Sequence, residues 1–279
     1  MELTTLEQFS IESLTNCFNE AFSDYFIKFV ATPQQLADRW HRGRVDFSLS
    51  GGAVANGNLQ GIIMSGVDAW NGQLTTYNAA TGVIPSARGK KLTRQIYDYL
   101  IPKFEAKGIK QCTLEVIQRN DVAIHVYEKI GFRKERAILC FSGAVNTTNL
   151  KTANNCLIKK IENPDWELLR SFWDFKPSWE NNHSAVKKAG PAMEVWGIFD
   201  GELKGYAVKS LNSGYIAQFG VKKEAREQGY GASLFKRLGE KNETLVINNV
   251  DSRSENTLNF LHRIGMKNKI NQYEMKMEL

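Results

Sequence analysis

Six residues in the second half of the chain have the types and the spacing of a phosphate-binding turn. They follow a predicted strand over 215–221 that ends at Val221, and they open a predicted helix. Glycine lets backbone amides approach a ligand closely, and the first turn of a helix has unpaired amides and a positive potential. This second loop, with the pattern R-x-x-G-x-G, consists of Arg226, Glu227, Gln228, Gly229, Tyr230 and Gly231. It predicts a phosphate site, although the same glycines are also common at an ordinary helix start.

A partial copy of this turn lies in the first half of the chain. It follows a predicted strand over 73–84 and precedes a predicted helix over 92–104. The residues of the strand end and of this first loop are Val83, Arg88, Gly89, Lys90, Lys91, Leu92 and Thr93. Lys91 and Thr93 stand where the second loop has glycines, and two interpretations follow. A lysine beside a phosphate group adds favourable charge, whereas a Cβ at the closest approach excludes the ligand.

The order of elements also recurs. In each half a strand, a loop, a helix, a further strand and a helix that ends at a glycine follow one another at nearly the same spacing, the two glycines being Gly131 and Gly265. This recurrence indicates an internal duplication. It predicts an N-terminal domain over 1–143, a linker over 144–155 that is rich in Asn and Thr, and a C-terminal domain over 156–279.

Each half is expected to be α/β, of the α+β kind, with a central mixed sheet flanked by helices. Two helical patterns, over 11–22 and from Pro33, precede the first clear strand of the chain. Antiparallel strands joined by Asn-Gly and Asp-Gly turns follow in both halves. Tyr25, Phe26 and Phe29, between the two helical patterns, are either a pocket wall or part of the core.

Composition excludes several classes of function. Of the 279 residues 42% are hydrophobic, too many for a disordered chain, and no apolar run approaches the roughly 18 residues of a membrane span. The net charge of +6 is spread along the chain, so nucleic-acid binding is not expected. A polar, acidic start without a secretory pattern predicts a cytoplasmic protein. We expect no metal site, because the four cysteines are scattered and the histidines are predicted to face solvent. These histidines are His41, His125, His183 and His262.

The two strand-loop-helix segments, together with Tyr127 four residues before Gly131-Phe132, resemble the GNAT superfamily of acetyl-CoA-dependent N-acyltransferases in a tandem of two domains. The resemblance implies that acetyl-CoA is the cosubstrate and that both loops and Asn120 bind it. It also implies that Tyr127 lies near the cofactor sulfur. The second copy has Leu261 at the equivalent position. Leucine cannot donate a proton, so the second loop predicts binding more firmly than catalysis.

Such a protein transfers an acetyl group to a primary amine by direct attack in a ternary complex. Backbone amides of the central strand stabilise the charge on the carbonyl oxygen, and Tyr127 is the acid that protonates the departing thiolate. Tyr127 is equally typical of a ring packed under a helix. Glu115 is the candidate base, with a buried ion pair as the alternative. The acceptor is a small-molecule amine or a peptide, and the sequence does not specify an oligomeric state. Because the motifs are divided between the copies, a non-catalytic acyl-CoA sensor is the alternative function.

Overall fold

The computed structural model describes residues 1–27, 29–240 and 244–279, which form two compact units. Unit 1 comprises Met1–Glu135 with Tyr273–Leu279, and unit 2 comprises Arg136–Gln272. Residues 136–143 belong to unit 2, whereas the sequence-based bounds place them in the N-terminal domain over 1–143. Residues 273–279 belong to unit 1, whereas those bounds place them in the C-terminal domain over 156–279. Those bounds stay a prediction about domains.

Unit 1 combines a sheet with four helices. Its elements in chain order are β1 (Glu2–Thr5), α1 (Ile11–Ala21), α2 (Pro33–Arg42), β2 (Gly51–Ala55), β3 (Asn58–Trp70), β4 (Gln73–Val83), α3 (Leu92–Ala106), β5 (Gln111–Ile117) and α4 (Asp121–Ile130). The strand order is β1-β2-β3-β4-β5, and residues from 273 of the last strand of the chain lie next to β5. β1 to β4 pair antiparallel, whereas β4 and β5 pair in parallel, so the sheet is mixed.

The first strand was not expected from the sequence. β1 pairs with β2 from Glu2 opposite Val54 to Thr5 opposite Gly51, so the prediction that two helices precede every strand is wrong. Four residues are too short a run for alternation to be recognised. The helices that follow begin where the sequence predicts: Ser10 caps α1, and Thr32 with Gln35 forms a capping box before Pro33.

Unit 2 has the same kind of architecture. Its elements are β6 (Arg133–Gly143, in this unit from residue 136), β7 (Leu157–Lys160), α5 (Trp166–Ser171), α6 (His183–Ala189), β8 (Met193–Asp200), β9 (Glu202–Ser210), β10 (Tyr215–Val221), α7 (Tyr230–Gly239), β11 (Leu245–Asp251), α8 (Glu255–Arg263) and β12 (Lys267–Glu278, in this unit to residue 272). The strand order is β12-β6-β11-β10-β9-β8-β7, with β10 and β11 parallel. Two units with mixed sheets and flanking helices confirm the predicted fold class.

The segment predicted as a linker packs closely against unit 2. It has no helix or strand between Gly143 and Leu157. The amide of Asn146 nevertheless donates to the carbonyl of Ile264 (2.8 Å), and the side chains of Leu150 and Ala153 pack on the hydrophobic core of the unit. Residues 144–155 are therefore a packed part of unit 2 and do not form a solvated spacer.

A buried carboxylate holds two arginines together in unit 2. Asp251, at the end of β11, is only 5% exposed; it accepts from Arg253 Nη2 (2.7 Å) and lies 3.3 Å from Arg136 Nη1. Burial alone raises the pKa of Asp251, but the hydrogen bonds from Arg253 and the charge of Arg136 outweigh burial and lower that pKa to about 2. The carboxylate thus stabilises unit 2 above pH 4, and this contribution is lost as the pH falls toward 2.

We predict that Asp251→Asn lowers the free energy of unfolding by about 3 kcal/mol at pH 7, because the buried charge of Arg136 loses its partner. Urea denaturation followed by tryptophan fluorescence measures this. The difference from the unsubstituted chain should narrow as the pH falls from 4 toward 2, because the carboxyl of the unfolded chain is protonated in this range before the native carboxylate is. Glu162→Gln, at an exposed position, is the control. A difference that stays constant with pH would contradict this account of Asp251.

Candidate functional site

The two parallel strands of unit 1 separate in the middle of the sheet. β4 and β5 are paired from Thr75 opposite Gln111 to Asn78 opposite Leu114, and the pairing stops there although β4 continues to Val83. Directly after Asn78 the register between β4 and β3 shifts by one residue, a β-bulge with Ala79 as the extra residue. A bulge bends a strand and leaves its extra residue outside the ladder. Residues 79–83 and 115–117 are called the first fork.

The first loop joins this fork to a helix. A short 3₁₀ turn, Pro85–Ala87, leads to Arg88, and φ is positive at Gly89 (78°) and at Lys91 (58°) but not at Lys90 between them. α3 then begins without a side-chain cap. The amides of its first turn therefore have no intrahelical acceptor and no capping oxygen. Alternating backbone conformations of this kind bring successive amides toward one anion-sized concavity.

Arg88 fixes the loop by contacts inside unit 1. Its guanidinium donates to both carboxylate oxygens of Asp24 (2.6 and 2.7 Å) and to the carbonyls of Val83 (3.2 Å) and Ala21 (3.0 Å). The hydrogen bond with Asp24 is the main reason why the pKa of Arg88 is raised. Arg88 thus holds the strand end and the loop in place, and the neighbouring side chains of Lys90 and Lys91 are exposed.

Tyr127 lies at the first fork. It is 8% exposed, and its hydroxyl hydrogen-bonds with Thr81 and Asn78 of β4. The amide of Asn78 donates to Thr81 Oγ1 (2.6 Å) and to the hydroxyl of Tyr97 (2.8 Å). Burial raises the pKa of Tyr127 to about 12, so its hydroxyl is protonated at neutral pH. This buried polar cluster brings a proton donor to the point where the strands separate.

Glu115 lies at the same fork but on the other face of the sheet. It is the first residue of β5 beyond the last pair, and it is half-buried. Asn78 and Leu114 are a pair and share one face, which is also the face of Tyr127 because Tyr127 contacts Asn78. Side chains alternate along a strand, so Glu115 points away from that face. The fork therefore separates the two candidate catalytic groups.

Asn120 has a structural contact that the sequence did not reveal. Its side chain caps α4 by accepting from the amide of Ala123 (3.2 Å), and it also hydrogen-bonds with Tyr25. Burial raises the pKa of Tyr25. The neighbouring Phe26 is exposed and lies 5.9 Å from the Arg119 guanidinium. The stretch between α1 and α2 thus reaches the start of α4.

The second loop has the same backbone shape as the first. Arg226 donates to Asp174 (2.9 Å) and to the carbonyls of Val221 (3.3 Å) and Phe172 (3.4 Å), as Arg88 does with its own partners. Positive φ values recur at Glu227 (62°) and Gly229 (95°), the positions equivalent to Gly89 and Lys91. The loop conformation therefore persists in both copies although the glycines do not coincide.

Other side chains of the second loop point into unit 2. The Tyr230 hydroxyl donates to Asp200 (2.6 Å), the Gln228 side chain donates to the carbonyl of Glu224 (2.8 Å), and a Cβ on Gly231 would lie 3.2 Å from the ring of Phe260. Each of these contacts is made with the protein itself.

Several residues in and around the first fork were not identified from the sequence. Asn78 and Thr81 are polar side chains within a strand, and Asp24 lies 64 positions before its partner Arg88. In β4, which also contains Gln73, Thr75 and Thr76, this polar pair gave no distinct signal. The contact of Asp24 had none either, because it depends on how the segment after α1 folds back onto the loop.

Within 1–27, 29–240 and 244–279, no three His, Cys, Asp or Glu side chains are grouped closely enough to hold a metal ion. The prediction that His183 faces solvent is wrong: its ring packs edge-on against Trp166 (4.5 Å between ring centroids), and burial lowers its pKa. In the part of the chain that the structure describes, no helix is both long and apolar enough to cross a membrane.

The sequence of unit 1 matches a known family model, and the fold of the chain is similar to solved structures. Residues 11–132, most of unit 1, match the acetyltransferase (GNAT) family model. A GCN5-related N-acetyltransferase from Sphaerobacter thermophilus is 14% identical, with a TM-score of 0.70 over 99% of this chain and 95% of that one. A tandem GNAT protein from the clavulanic acid biosynthesis pathway is 11% identical, with a TM-score of 0.71 over 99% and 98%.

A third similar structure is a glucosamine N-acetyltransferase region in a fungal multi-domain GH3 beta-N-acetylglucosaminidase. It is 15% identical, with a TM-score of 0.72 over 98% of this chain and 38% of that one. At such identities the likeness of the solved structures concerns the fold alone, whereas the family match rests on the sequence of unit 1. Unit 1 therefore matches the acetyltransferase (GNAT) family, whose reaction is acyl transfer from acyl-CoA, and the chain as a whole shares the fold of a tandem GNAT protein.

Proposed function

We propose that this protein transfers an acetyl group from acetyl-CoA to a primary amine, and that unit 1 carries the reaction. The observation that supports this most strongly is the position of Tyr127, whose protonated hydroxyl lies among polar partners where β4 and β5 separate. A buried, hydrogen-bonded hydroxyl at the end of a strand pair is the arrangement that a proton donor to a leaving group requires.

The residues of the first loop fit the diphosphate of CoA. A Cβ built on Gly89 would meet no heavy atom within 4 Å, so the protein leaves open space beside the loop amides. Lys90 and Lys91 are exposed there, and Leu92 is buried and fixes the start of α3. Amides at the start of a helix with two adjacent lysines are a favourable environment for phosphate groups. In this proposal residues 88–93 hold the diphosphate, Val83 ends the strand beside it, and Asn120 orients the start of α4.

Acetyl-CoA, when bound, supplies an activated acyl thioester. The amide of Ala79, the extra residue of the bulge, is the candidate donor to the charge that develops on the carbonyl oxygen. Tyr127 gives its proton to the sulfur that departs. Glu115, on the opposite face of the fork, accepts the proton of the attacking amine. Acid and base on opposite faces suit a ternary complex in which donor and acceptor approach from two sides.

The acceptor is proposed to be a small-molecule amine or a peptide, and the location to be cytoplasmic. To test the reaction, release of free thiol from acetyl-CoA is measured with a panel of polyamines, amino acids, aminoglycosides, peptides and glucosamine. The last is the acceptor that is named for one structural neighbour. We predict amine-dependent thiol release with at least one acceptor. Binding of acetyl-CoA without turnover across the panel would instead favour a non-catalytic acyl-CoA sensor.

We predict that Tyr127→Phe lowers kcat about 100-fold, because the thiolate departs without a proton, while the Kd of acetyl-CoA stays within about threefold. Since the pKa of Tyr127 is about 12, the hydroxyl is protonated at every usable pH, and the loss should be similar from pH 7 to pH 10. Tyr99→Phe on the same unit is the control. Unchanged turnover in Tyr127→Phe would remove the assigned role.

For Glu115→Gln we predict a fall in kcat/KM of about 100-fold at pH 7 that lessens as the pH rises. Without a base, the reaction depends on the fraction of acceptor that is already deprotonated, and this fraction grows with pH. Steady-state kinetics between pH 6.5 and 9.5 measure the effect, with the exposed Glu105→Gln as the matched control. A parallel loss at every pH would indicate that Glu115 does not act as a base.

A further inference from the structure

The fork of unit 2 is bridged by its own chain. Among the residues that the structure describes, β10 and β11 pair at Tyr215 with Val246 and at Ile216 with Ile247, and a bulge follows at once, as in unit 1. Beyond this point the short 3₁₀ turn Trp179–Asn181 connects the two strands. The side chain of Gln218 on β10 donates to the carbonyl of Asn181 (2.7 Å), and the side chain of Asn181 donates to the carbonyl of Asn248 on β11 (3.1 Å).

Neighbouring contacts fix this bridge firmly. Asn249 donates to Ser178 Oγ (2.9 Å), and the hydroxyl of Tyr215 hydrogen-bonds with Asn181. Ser178, Trp179 and Asn181 are each at most 2% exposed. Ser178 and Asn181 thus satisfy backbone and side-chain groups of both strands from a buried position.

The second loop is covered by another segment. A Cβ built on Gly229 would lie 2.6 Å from the carbonyl carbon of Thr152 and 2.7 Å from the amide nitrogen of Ala153, so the backbone of 151–153 contacts the loop directly. The amide of Ala153 donates to Ser233 Oγ in the first turn of α7 (3.0 Å). At Lys91, the equivalent position of the first loop, the side chain is exposed to solvent, so the side of the loop that is open there in unit 1 is filled by backbone in unit 2.

The charge at the second loop is also less favourable for a diphosphate than the charge at the first loop. Glu227 stands at the position of Gly89 and Gln228 at that of Lys90, while Glu224 lies in the turn before them. All three side chains are exposed. Gln228 and Gly229 thus replace the two lysines of the first loop, and the carboxylate of Glu227 lies beside them, while the nearest lysines, Lys222 and Lys223, precede the loop.

The polar cluster of unit 1 is replaced in unit 2. Equivalent positions are those obtained when Asn78 is aligned with Ile216 in the last strand pairs, Arg88 with Arg226 in the loops, and Gly131 with Gly265 after α4 and α8. At every position of the cluster, unit 2 has an apolar residue. The pairs are Asn78 and Ile216, Thr81 and Phe219, Tyr97 and Phe235, and Tyr127 and Leu261. These apolar side chains pack together, with the rings of Phe219 and Phe235 5.2 Å apart.

We infer that unit 2 binds no acyl-CoA, and that residues 151–153 and 178–181 take the positions at its loop and its fork that the diphosphate and the acyl group take in unit 1. The inference rests on the proposed function of unit 1. It assigns a single acyl-CoA site to a chain with two copies of the fold. The second loop, which has the complete R-x-x-G-x-G pattern, then serves as a packing surface for residues 151–153.

Calorimetric titration with acetyl-CoA, in the absence of an acceptor, tests this with a matched pair of variants. Lys90→Glu and Gln228→Glu place a carboxylate at equivalent exposed positions of the two loops. We expect one site per chain in the unsubstituted protein, at least a tenfold weaker Kd in Lys90→Glu, and an unchanged Kd in Gln228→Glu. Ser233→Ala, which removes the anchor of 151–153, should still give one site because the fork stays filled.

The outcomes separate the two proposals. Two sites per chain, a second site that appears in Ser233→Ala, or a loss of affinity in Gln228→Glu but not in Lys90→Glu would overturn this inference and leave the transferase function standing. No binding at all would overturn the function of unit 1 together with it. Hydrogen exchange adds a second readout. Acetyl-CoA should slow the exchange of the amides of 88–92 and leave the exchange of 151–153 and 178–181 unchanged. Faster exchange of 151–153 on addition of acetyl-CoA would show that the cofactor displaces this segment from the second loop, and it would contradict the inference.

Discussion

Two parallel strands that separate inside a sheet leave backbone donors and acceptors without ladder partners, and a buried group of this kind must find another partner. Both units contain such a separation, each marked by a bulge directly beyond the last pair. In unit 1 the surrounding side chains are hydroxyls and an amide, with Tyr127 among them. In unit 2 the 3₁₀ turn Trp179–Asn181 supplies the partners from the chain itself. One constraint thus leads to a candidate reaction site in one copy and to a packed core in the other.

The loops show that backbone shape and ligand binding are separate properties. Each loop is fixed by an arginine that joins a carboxylate to the end of a central strand, Arg88 with Asp24 and Arg226 with Asp174. This contact keeps positive φ values even at Lys91 and Glu227, where a side chain makes them unfavourable by about 1 kcal/mol. What differs is the surroundings: open space and two lysines at the first loop, backbone and a carboxylate at the second.

Local patterns predicted most of the fold. The strand β10 agrees with the predicted 215–221, and an Asp-Gly turn, Asp200-Gly201, joins β8 and β9 as expected. Tyr127 was identified because its spacing to Gly131-Phe132 resembles the pattern of the GNAT family, which is a local signal. The contacts of 151–153 with Gly229 and of Asn181 with Asn248 were not foreseen, since they join residues at least 67 positions apart and have no local signature. For the same reason the second loop looked the stronger site in the sequence, where only its glycines were visible.

The most direct test of this account is a crystal structure of the protein with CoA. We predict diphosphate density against the amides of residues 88–92, the CoA sulfur near the hydroxyl of Tyr127, and residues 151–153 still seated on Gly229. A diphosphate bound to residues 226–231, with 151–153 displaced, would contradict the account.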